Sequence, residues 1–223
     1  MPSSTEENYL KAIHRRSRDK GAENGVSLGL IAQDLSVTPG TVTTMMKQLA
    51  ERNLVRYRSR RGVVLTPEGH KTALEIIRRH RLIELFLVEV LKMDWSEVHR
   101  EAEVLEHVVS DKLIQRINDM LGNPASDPHG APIPDASGAV AKMAAVSLSD
   151  CPPGLYRVVQ VEDNTPEFLG WLSEHGLVPG AQFRIQKIDP PAGILTLECP
   201  AKHEAVSASI QAVSRILVAS ADE

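Results

Sequence analysis

A short segment of the chain carries two imidazoles and two carboxylates at helical spacing. The donors stand at positions i, i+4, i+7 and i+8: His99, Glu103, Glu106 and His107. An α-helix repeats every 3.6 residues, so these side chains fall within an arc of roughly 100°. Imidazole nitrogens and carboxylate oxygens bind divalent cations, and the spacing therefore predicts a metal-binding helix face. The alternative is an ordinary solvated face of an amphipathic helix.

A second pair of donors precedes this segment. His80 and Glu84 are also four residues apart, in a stretch whose apolar residues predict a long helix beginning near residue 67. The connection between the two predicted helices is short, so we expect antiparallel neighbours whose donors converge. The first predicted helix adds Asn8, whose amide oxygen is a further candidate ligand.

The candidate ligands restrict the kind of ion. They are imidazole nitrogens and carboxylate or amide oxygens, with no thiolate or thioether among them. Such a set suits Mn²⁺ or Fe²⁺ better than Cu(I) or structural zinc. The expected cofactor is Mn²⁺, with Fe²⁺ as the alternative.

The N-terminal third of the chain has the pattern of a DNA-binding domain. Ser27 precedes a short amphipathic segment, and Thr38 with Pro39 provides an N-cap and a first-turn proline for a second helix. Two short β-rich segments follow, at residues 53–57 and 62–65, joined by an arginine-rich turn. Two helices followed by a basic hairpin predict a winged helix-turn-helix.

Hydroxyl and basic side chains are concentrated in this predicted domain. Residues 1–72 hold 12 Lys and Arg against 7 Asp and Glu, a balance of about +5 in a chain whose net charge is −4. Threonines can bond base edges or phosphates, and lysines and arginines can meet phosphates. We expect contacts with double-stranded DNA from Thr38, Pro39, Thr41, Thr44, Lys47, Arg58, Arg60 and Arg61. A winged helix used for protein contacts, or a solvated basic hairpin, is the alternative.

The middle of the chain is predicted to be helical and its end β-rich. The helix that begins near Asp94 is expected to continue through Leu113 to Gly122. Residues 123–138 contain four prolines and two glycines, so we interpret them as a linker. Short β-rich segments then bracket one helix at residues 166–175, which is typical of a small β-barrel. The predicted fold class is multidomain, mainly α with a small β domain.

Composition argues against several classes of protein. No apolar run approaches the roughly 20 residues of a membrane span, and the first residues lack a signal-peptide pattern. We therefore expect a cytoplasmic protein with no membrane partner. Cys151 and Cys199 form no CxxC pair, which argues against zinc-finger chemistry and a disulfide framework. His129 lacks a convincing second donor and is interpreted as a surface or turn residue.

Four strings carry a resemblance to a known family: Tyr9-Leu-Lys-Ala-Ile, Arg79-His-Arg-Leu-Ile-Glu84, Val98-His-Arg-Glu-Ala-Glu-Val-Leu-Glu-His-Val108 and Asp127-Pro-His-Gly-Ala-Pro-Ile-Pro134. With the order of elements, they make the chain similar to the diphtheria-toxin-repressor and manganese-transport-regulator family over nearly its whole length. The resemblance implies a homodimeric repressor in which Fe²⁺ or Mn²⁺ holds two winged helices at operator spacing.

The resemblance also implies three domains. They are a winged helix-turn-helix DNA-binding domain at residues 1–72, a helical dimerisation and metal-binding domain with the proline-rich linker at 73–140, and an SH3-like (FeoA-like) β-barrel at 146–223.

The resemblance divides the candidate ligands into two sites. One site takes Asn8, Glu103, Glu106 and His107. The companion site takes His80, Glu84 and His99, with help from the SH3-like domain, where Glu167 is the candidate. Glu103 stands where iron-responsive members have cysteine. Manganese-responsive members have glutamate there, as this chain does. Asn8 stands where methionine or aspartate is usual, and Lys11 where some manganese regulators have a carboxylate.

The predicted function is a metal-activated repressor of metal-uptake or metal-homeostasis genes. It is expected to act as a homodimer on operator DNA, and not as an enzyme with a small-molecule substrate. The alternative is a helical-bundle metalloenzyme with an appended winged helix, because carboxylate and histidine helices also build di-iron sites. Against it, the chain has no paired Glu-x-x-His elements and no visible nucleophile–base motif. A third hypothesis is a winged-helix regulator that responds to an organic ligand.

Overall fold

The computed structural model describes residues 2–20, 25–162, 165–199 and 204–221. They divide into two compact units. The N-terminal unit comprises Met1–Arg79 with Pro134–Ala139, and the C-terminal unit comprises His80–Ile133 with Val140–Glu223. Within the described ranges, none of the helices combines the length and apolar character that a membrane crossing requires.

The N-terminal unit has the winged helix-turn-helix order that the sequence predicts. Its elements are α1 (Ser4–Lys20), α2 (Leu28–Asp34), α3 (Pro39–Glu51), β1 (Val55–Arg58), β2 (Gly62–Leu65) and the start of α4 (Pro67–Glu89). Ser27 and Thr38 cap α2 and α3, since their hydroxyls accept hydrogen bonds from the amides of Leu30 and Thr41. Apolar residues at helical spacing form the core, including the fully buried Leu10, Ile13, Val42, Met46 and Leu49.

A two-stranded antiparallel hairpin forms the wing. β1 and β2 pair with Arg58 opposite Gly62. The turn between them is left-handed, with φ of 64° at Arg60 and 84° at Gly62. A Cβ on Gly62 would lie 2.4 Å from the carbonyl oxygen of Val26, so only glycine fits there. The turn leaves the wing arginines Arg58, Arg60 and Arg61 exposed.

The helical part of the C-terminal unit differs from prediction at one point. The prediction of one continuous helix reaching Gly122 is wrong, because the structure has two helices, α5 (Val98–Leu105) and α6 (Asp111–Met120). A new helix begins after Ser110, whose hydroxyl accepts a hydrogen bond from the amide of Leu113 at 3.3 Å. The segment between the two helices therefore turns, just after the last donors of the predicted metal face.

The proline-rich segment is more than a linker. Its central part, called the 126–133 loop below, is closed by an isolated β-bridge between Ser126 and Pro132. Asp127, His129 and Ile133 are buried. Proline prevents a regular helix or strand here but does not prevent packing.

The end of the chain forms the predicted small β domain. Its described strands make one antiparallel sheet in the order β3-β8-β4-β5-β6-β7. The elements are β3 (Val146–Ser147), a short 3₁₀ helix (Leu148–Asp150), β4 (Gly154–Val161), α7 (Pro166–His175), β5 (Gln182–Asp189), β6 (Ile194–Cys199), β7 (Glu204–Ser209), α8 (Ile210–Val213) and β8 (Ile216–Ser220). The sequence patterns miss the edge strands β3 and β7, which are very short or rich in small residues. Phe183, Leu169 and Leu172 lie at the centre of the core.

The N-cap that begins α6 after the break is expected to contribute to stability. Ser110→Ala removes the N-cap of α6, and we expect the free energy of unfolding to fall by about 1 kcal/mol. Ser110→Asp keeps a capping oxygen and serves as the control. Urea unfolding followed by circular dichroism measures both, and an equal loss in the two variants would contradict a capping role.

Candidate metal centre

His80 of α4 stands at the centre of the predicted ligands. Its Nδ1 lies 2.6 Å from Glu106 Oε2, and its Nε2 lies 2.9 Å from Glu84 Oε1 and 3.1 Å from His99 Nδ1. The i, i+4 spacing on α4 places His80 and Glu84 on one face, and the start of α5 brings His99 to them. The structure therefore brings donors from both helices into one network, as the sequence predicts.

Three donors at the more exposed end of this network form the outer group, which we define as His80, His99 and Glu103. Their ligand atoms all lie within 4.8 Å of one another. Glu103 Oε1 is 3.8 Å from His80 Nδ1 and 3.7 Å from His99 Nε2. Glu106, which is fully buried, adjoins this group, and its Oε1 is 3.4 Å from His107 Nε2. Six of the predicted ligands thus form one contiguous cluster.

A second set of donors, the inner group, consists of Glu84, Asp127 and His129. All three are buried, and their ligand atoms also lie within 4.8 Å of one another. His129 Nδ1 is 3.8 Å from Glu84 Oε2 and 4.0 Å from Asp127 Oδ1. Since Oε1 of Glu84 faces His80 and His99, this one carboxylate lies between the two groups.

The 126–133 loop positions the two donors that sequence reasoning missed. Asp127 Oδ1 accepts hydrogen bonds from the amides of His129 at 2.8 Å and Ala131 at 3.0 Å. Arg81 of α4 faces the other oxygen of Asp127, with Nε at 3.5 Å. His129 does lie in a turn. The interpretation that it lacks a second donor is wrong, because it is buried beside Glu84 and Asp127. The signal was the Asp-Pro-His spacing, which puts a carboxylate two residues from the imidazole.

The electrostatics of the inner group concentrate negative charge in a buried place. Burial would raise the pKa of Glu84, but the nearby imidazole of His129, hydrogen bonds from His80 and His99 and the charge of His80 hold it well below its ordinary value. Burial and the charge of Glu84 raise the pKa of Asp127 to about 6, against the attraction of Arg81. Burial lowers the pKa of His129, yet the nearby carboxylates of Glu84 and Asp127 raise it overall.

The spacing of the donors fits a bound divalent cation. With metal–ligand distances of about 2.1 Å, ligand atoms lie about 3.0 Å apart when adjacent in an octahedron, about 3.4 Å apart in a tetrahedron and about 4.2 Å apart when opposite in an octahedron. The distances from His129 Nδ1 to the two carboxylates, 3.8 and 4.0 Å, lie in this range. Those from Glu103 to the imidazoles of the outer group, 3.7 and 3.8 Å, do so as well. Carboxylate and imidazole donors without sulfur suit Mn²⁺ or Fe²⁺.

Two predicted ligands lie elsewhere. Asn8 is half-buried on α1, in the N-terminal unit, and its role as a ligand stays a prediction. Glu167 lies exposed in the first turn of α7 and belongs to neither group of described donors. It precedes the buried Leu169 by two residues, which is more than half a helical turn, so its side chain leaves the opposite side of α7. Its role as a ligand also stays a prediction.

The side chains predicted to contact DNA are all exposed on the N-terminal unit: Thr38, Pro39, Thr41, Thr44, Lys47, Arg58, Arg60 and Arg61. The hydroxyl of Thr38 caps α3 and lies 2.9 Å from that of Thr41. The hydroxyl of Thr44 donates to the carbonyl of Gly40 at 3.2 Å. The leading end of α3 therefore presents hydroxyls in fixed orientations, beside a wing that carries cationic charge.

Three family models match the chain. The model described as "iron dependent repressor, N-terminal DNA binding domain" matches residues 1–63. The model described as "iron dependent repressor, metal binding and dimerisation domain" matches residues 66–135, which include every residue of the outer and inner groups. The "FeoA domain" model matches residues 146–219.

Individual proteins are similar over most of the chain. The iron-dependent repressor IdeR of Mycobacterium leprae (strain TN) is 33% identical over 220 residues, which cover 91% of this chain and 91% of that protein. The HTH-type transcriptional regulator MntR of Geobacillus kaustophilus (strain HTA426) is 34% identical over 121 residues, or 54% of this chain and 83% of that protein. A solved manganese-dependent transcriptional repressor in complex with manganese is 36% identical, with a TM-score of 0.86, over 96% of this chain and 99% of that one.

The shared position of Glu84 makes a prediction about ion binding. Because its two oxygens face the two groups, we expect Glu84→Gln to weaken Mn²⁺ binding about tenfold or more at both. His129→Ala is expected to weaken only the inner group. Electron paramagnetic resonance of free Mn²⁺ in a titration measures affinity and stoichiometry, with the exposed Glu97→Gln as the control. If Glu84→Gln still bound two Mn²⁺ ions with the affinities of the unmodified chain, a carboxylate shared by the two groups would be ruled out.

Proposed function

The chain belongs to the iron-dependent repressor family, and from that premise we propose that it is a transcriptional repressor activated by Mn²⁺ or Fe²⁺. The observation that carries the proposal is the convergence of the outer and inner groups from α4, α5 and the 126–133 loop. The same chain holds a winged helix with exposed threonines and arginines. A cation site and a DNA-reading head in one polypeptide support a metal-responsive switch.

The chemistry of the ligands supports the choice of ion. Glu103 supplies a hard oxygen to the outer group, and the two cysteines of the chain, Cys151 and Cys199, are buried outside both groups. Oxygen-rich sites with imidazoles favour Mn²⁺ and Fe²⁺ over Cu(I). When bound, the ion supplies positive charge among carboxylates that otherwise repel one another. Mn²⁺ is the proposed cofactor, with Fe²⁺ as the alternative.

The switch follows from linkage between ion binding and conformation. An ion that favours one arrangement of donors stabilises that arrangement only by its difference in affinity for the two states, typically about 1–3 kcal/mol. The residues of this chain hold the donors: His80 and Glu84 from α4, and His99 from α5. For the link to the DNA-reading head, we retain the sequence-based proposal that the amide oxygen of Asn8 is a further ligand.

Apolar surface supports a homodimer. Val104 is 66% exposed, Val108 is 75% exposed and Leu113 is 51% exposed, all in or between α5 and α6. Exposed apolar residues close together on a structured segment are typical of protein–protein interfaces. A second copy of this chain is the proposed partner, because these residues lie in the part matched by the dimerisation model.

Operator DNA is the proposed target. A dimer presents two winged helices, which suits half-sites about one helical turn apart or multiples of that spacing. We propose that the operators control genes of metal uptake or homeostasis, because an ion-activated repressor suits genes that raise the level of that ion. The proposed place of action is the cytoplasm, and the proposed function includes neither catalysis nor a membrane partner nor a small-molecule substrate.

A matched pair of variants on α5 tests the proposal. Operators selected from random DNA in the presence of Mn²⁺ are titrated by fluorescence anisotropy, with Mn²⁺ and with a chelator. The unmodified protein is expected to bind roughly 5–150 times more tightly with Mn²⁺. Glu103→Ala should lose most of this difference and remain folded, because Glu103 is a partly exposed donor. Glu101→Ala, at an exposed position on the same helix, should retain it. Equal DNA affinity with and without Mn²⁺ in the unmodified protein refutes the switch.

A further inference from the structure

The imidazole of His129 is oriented by the backbone of Trp95, which lies in the turn before α5. His129 Nε2 is 2.9 Å from the carbonyl oxygen of Trp95. A carbonyl only accepts hydrogen bonds, so Nε2 carries the hydrogen. In the neutral ring the lone pair is then on Nδ1, the atom that faces Glu84 and Asp127. This hydrogen bond therefore selects the nitrogen that the inner group presents to a cation.

The side chain of Trp95 contacts both His129 and the β domain. Its indole stacks on the imidazole, with ring centroids 5.4 Å apart and planes inclined by 23°. Its Nε1–H donates a hydrogen bond to Ser173 Oγ of α7 at 2.6 Å. Trp95 is also buried in the hydrophobic cluster that contains Leu169 and Phe183. One side chain thus connects the candidate ligand to the core of the β domain.

A second connection runs through the backbone of the loop. The carbonyl of His129 accepts a hydrogen bond from the amide of Val161 on β4 at 2.8 Å. The next residue, Gly130, has φ of 83°, and a Cβ there would lie 2.0 Å from the carbonyl oxygen of Val159. The 126–133 loop is therefore in close contact with β4. The position of His129 therefore depends on the position of β4 and of the β domain to which it belongs.

We propose that Trp95 is a positioning residue. It couples cation binding at the inner group to the position of the β domain against the 126–133 loop. The inference rests on the proposed function in one respect, which is that the inner group binds a divalent cation. Groups that orient a metal-binding imidazole typically change metal affinity by 10–100-fold when they are lost. The β domain then influences the ion through the orientation of His129.

Mn²⁺ titration of the full chain tests this coupling, with the outer group as an internal reference. Trp95→Leu removes the stacking ring and the donor to Ser173 but keeps the carbonyl. Because the orienting carbonyl remains, we expect affinity at the inner group to fall by about tenfold, the low end of the range for lost orienting groups, and affinity at the outer group to stay within about twofold. His129→Ala identifies which binding step belongs to the inner group.

A milder variant keeps the test valid if Trp95→Leu does not fold. Ser173→Ala removes only the acceptor of the indole N–H, and we expect a loss of several-fold confined to the inner group. Ser147→Ala is the matched control, because Ser147 lies in the same β domain and donates to the carbonyl of Ser214 instead. The Mn²⁺ affinities of both groups in Ser147→Ala should equal those of the unmodified chain.

Fluorescence gives an independent readout. The chain has two tryptophans, so Trp95 is the only tryptophan in a Trp171→Phe background, and excitation at the red edge of the absorption band selects its emission. Mn²⁺ is expected to quench its emission with the midpoint of the inner group, and His129→Ala should remove that phase. Quenching of unchanged size and midpoint in His129→Ala would contradict the proposal.

The outcomes separate this inference from the proposed function. Inner-group affinity within twofold of the unmodified chain in both Trp95→Leu and Ser173→Ala overturns the coupling, as does an equal loss at both groups. An unmodified chain that binds Mn²⁺ only at the outer group also overturns it, yet leaves a metal-activated repressor intact. Loss of the repressor function instead shows as DNA affinity that does not respond to Mn²⁺.

Discussion

Buried carboxylates require compensating positive charge, and this constraint organises the C-terminal unit. Glu84 is 1% exposed, Glu106 is fully buried and Asp127 is 6% exposed. An uncompensated ion in such a place costs several kcal/mol, so each carboxylate must meet an imidazole, a guanidinium or a cation. The partners in the structure are His80 for two of them and Arg81 for the third. The donors of the candidate site and the packing of this unit therefore depend on the same contacts.

The end of α5 shows how a local break preserves a functional arrangement. The helix ends at Leu105, but the amide of Glu106 still bonds the carbonyl of Ala102 at 2.9 Å. Glu106 consequently keeps the angular position that a longer helix would give it. His107 follows in the turn, close enough for its imidazole to face Glu106. The spacing of the donors thus identifies residues that come together although the helix is shorter than predicted.

What the sequence reveals depends on the range of the interaction. His80 with Glu84, and His99 with Glu103, are i, i+4 pairs, and helical periodicity makes such pairs visible. The caps at Ser27 and Thr38 are equally local. Asp127 and His129 escape this reasoning because Glu84 is more than forty residues away and the loop between prolines has no period. The contact of Trp95 with Ser173 is likewise visible only after the chain has folded.

The single carboxylate between the two donor groups has a consequence for the robustness of the cluster. One oxygen of Glu84 faces His99 and the other faces His129. Among the described donors of the two groups, Glu84 is the residue whose oxygens face both. A change in this one side chain therefore alters the charge around both groups, whereas a change in Glu103 or Asp127 stays local to one of them.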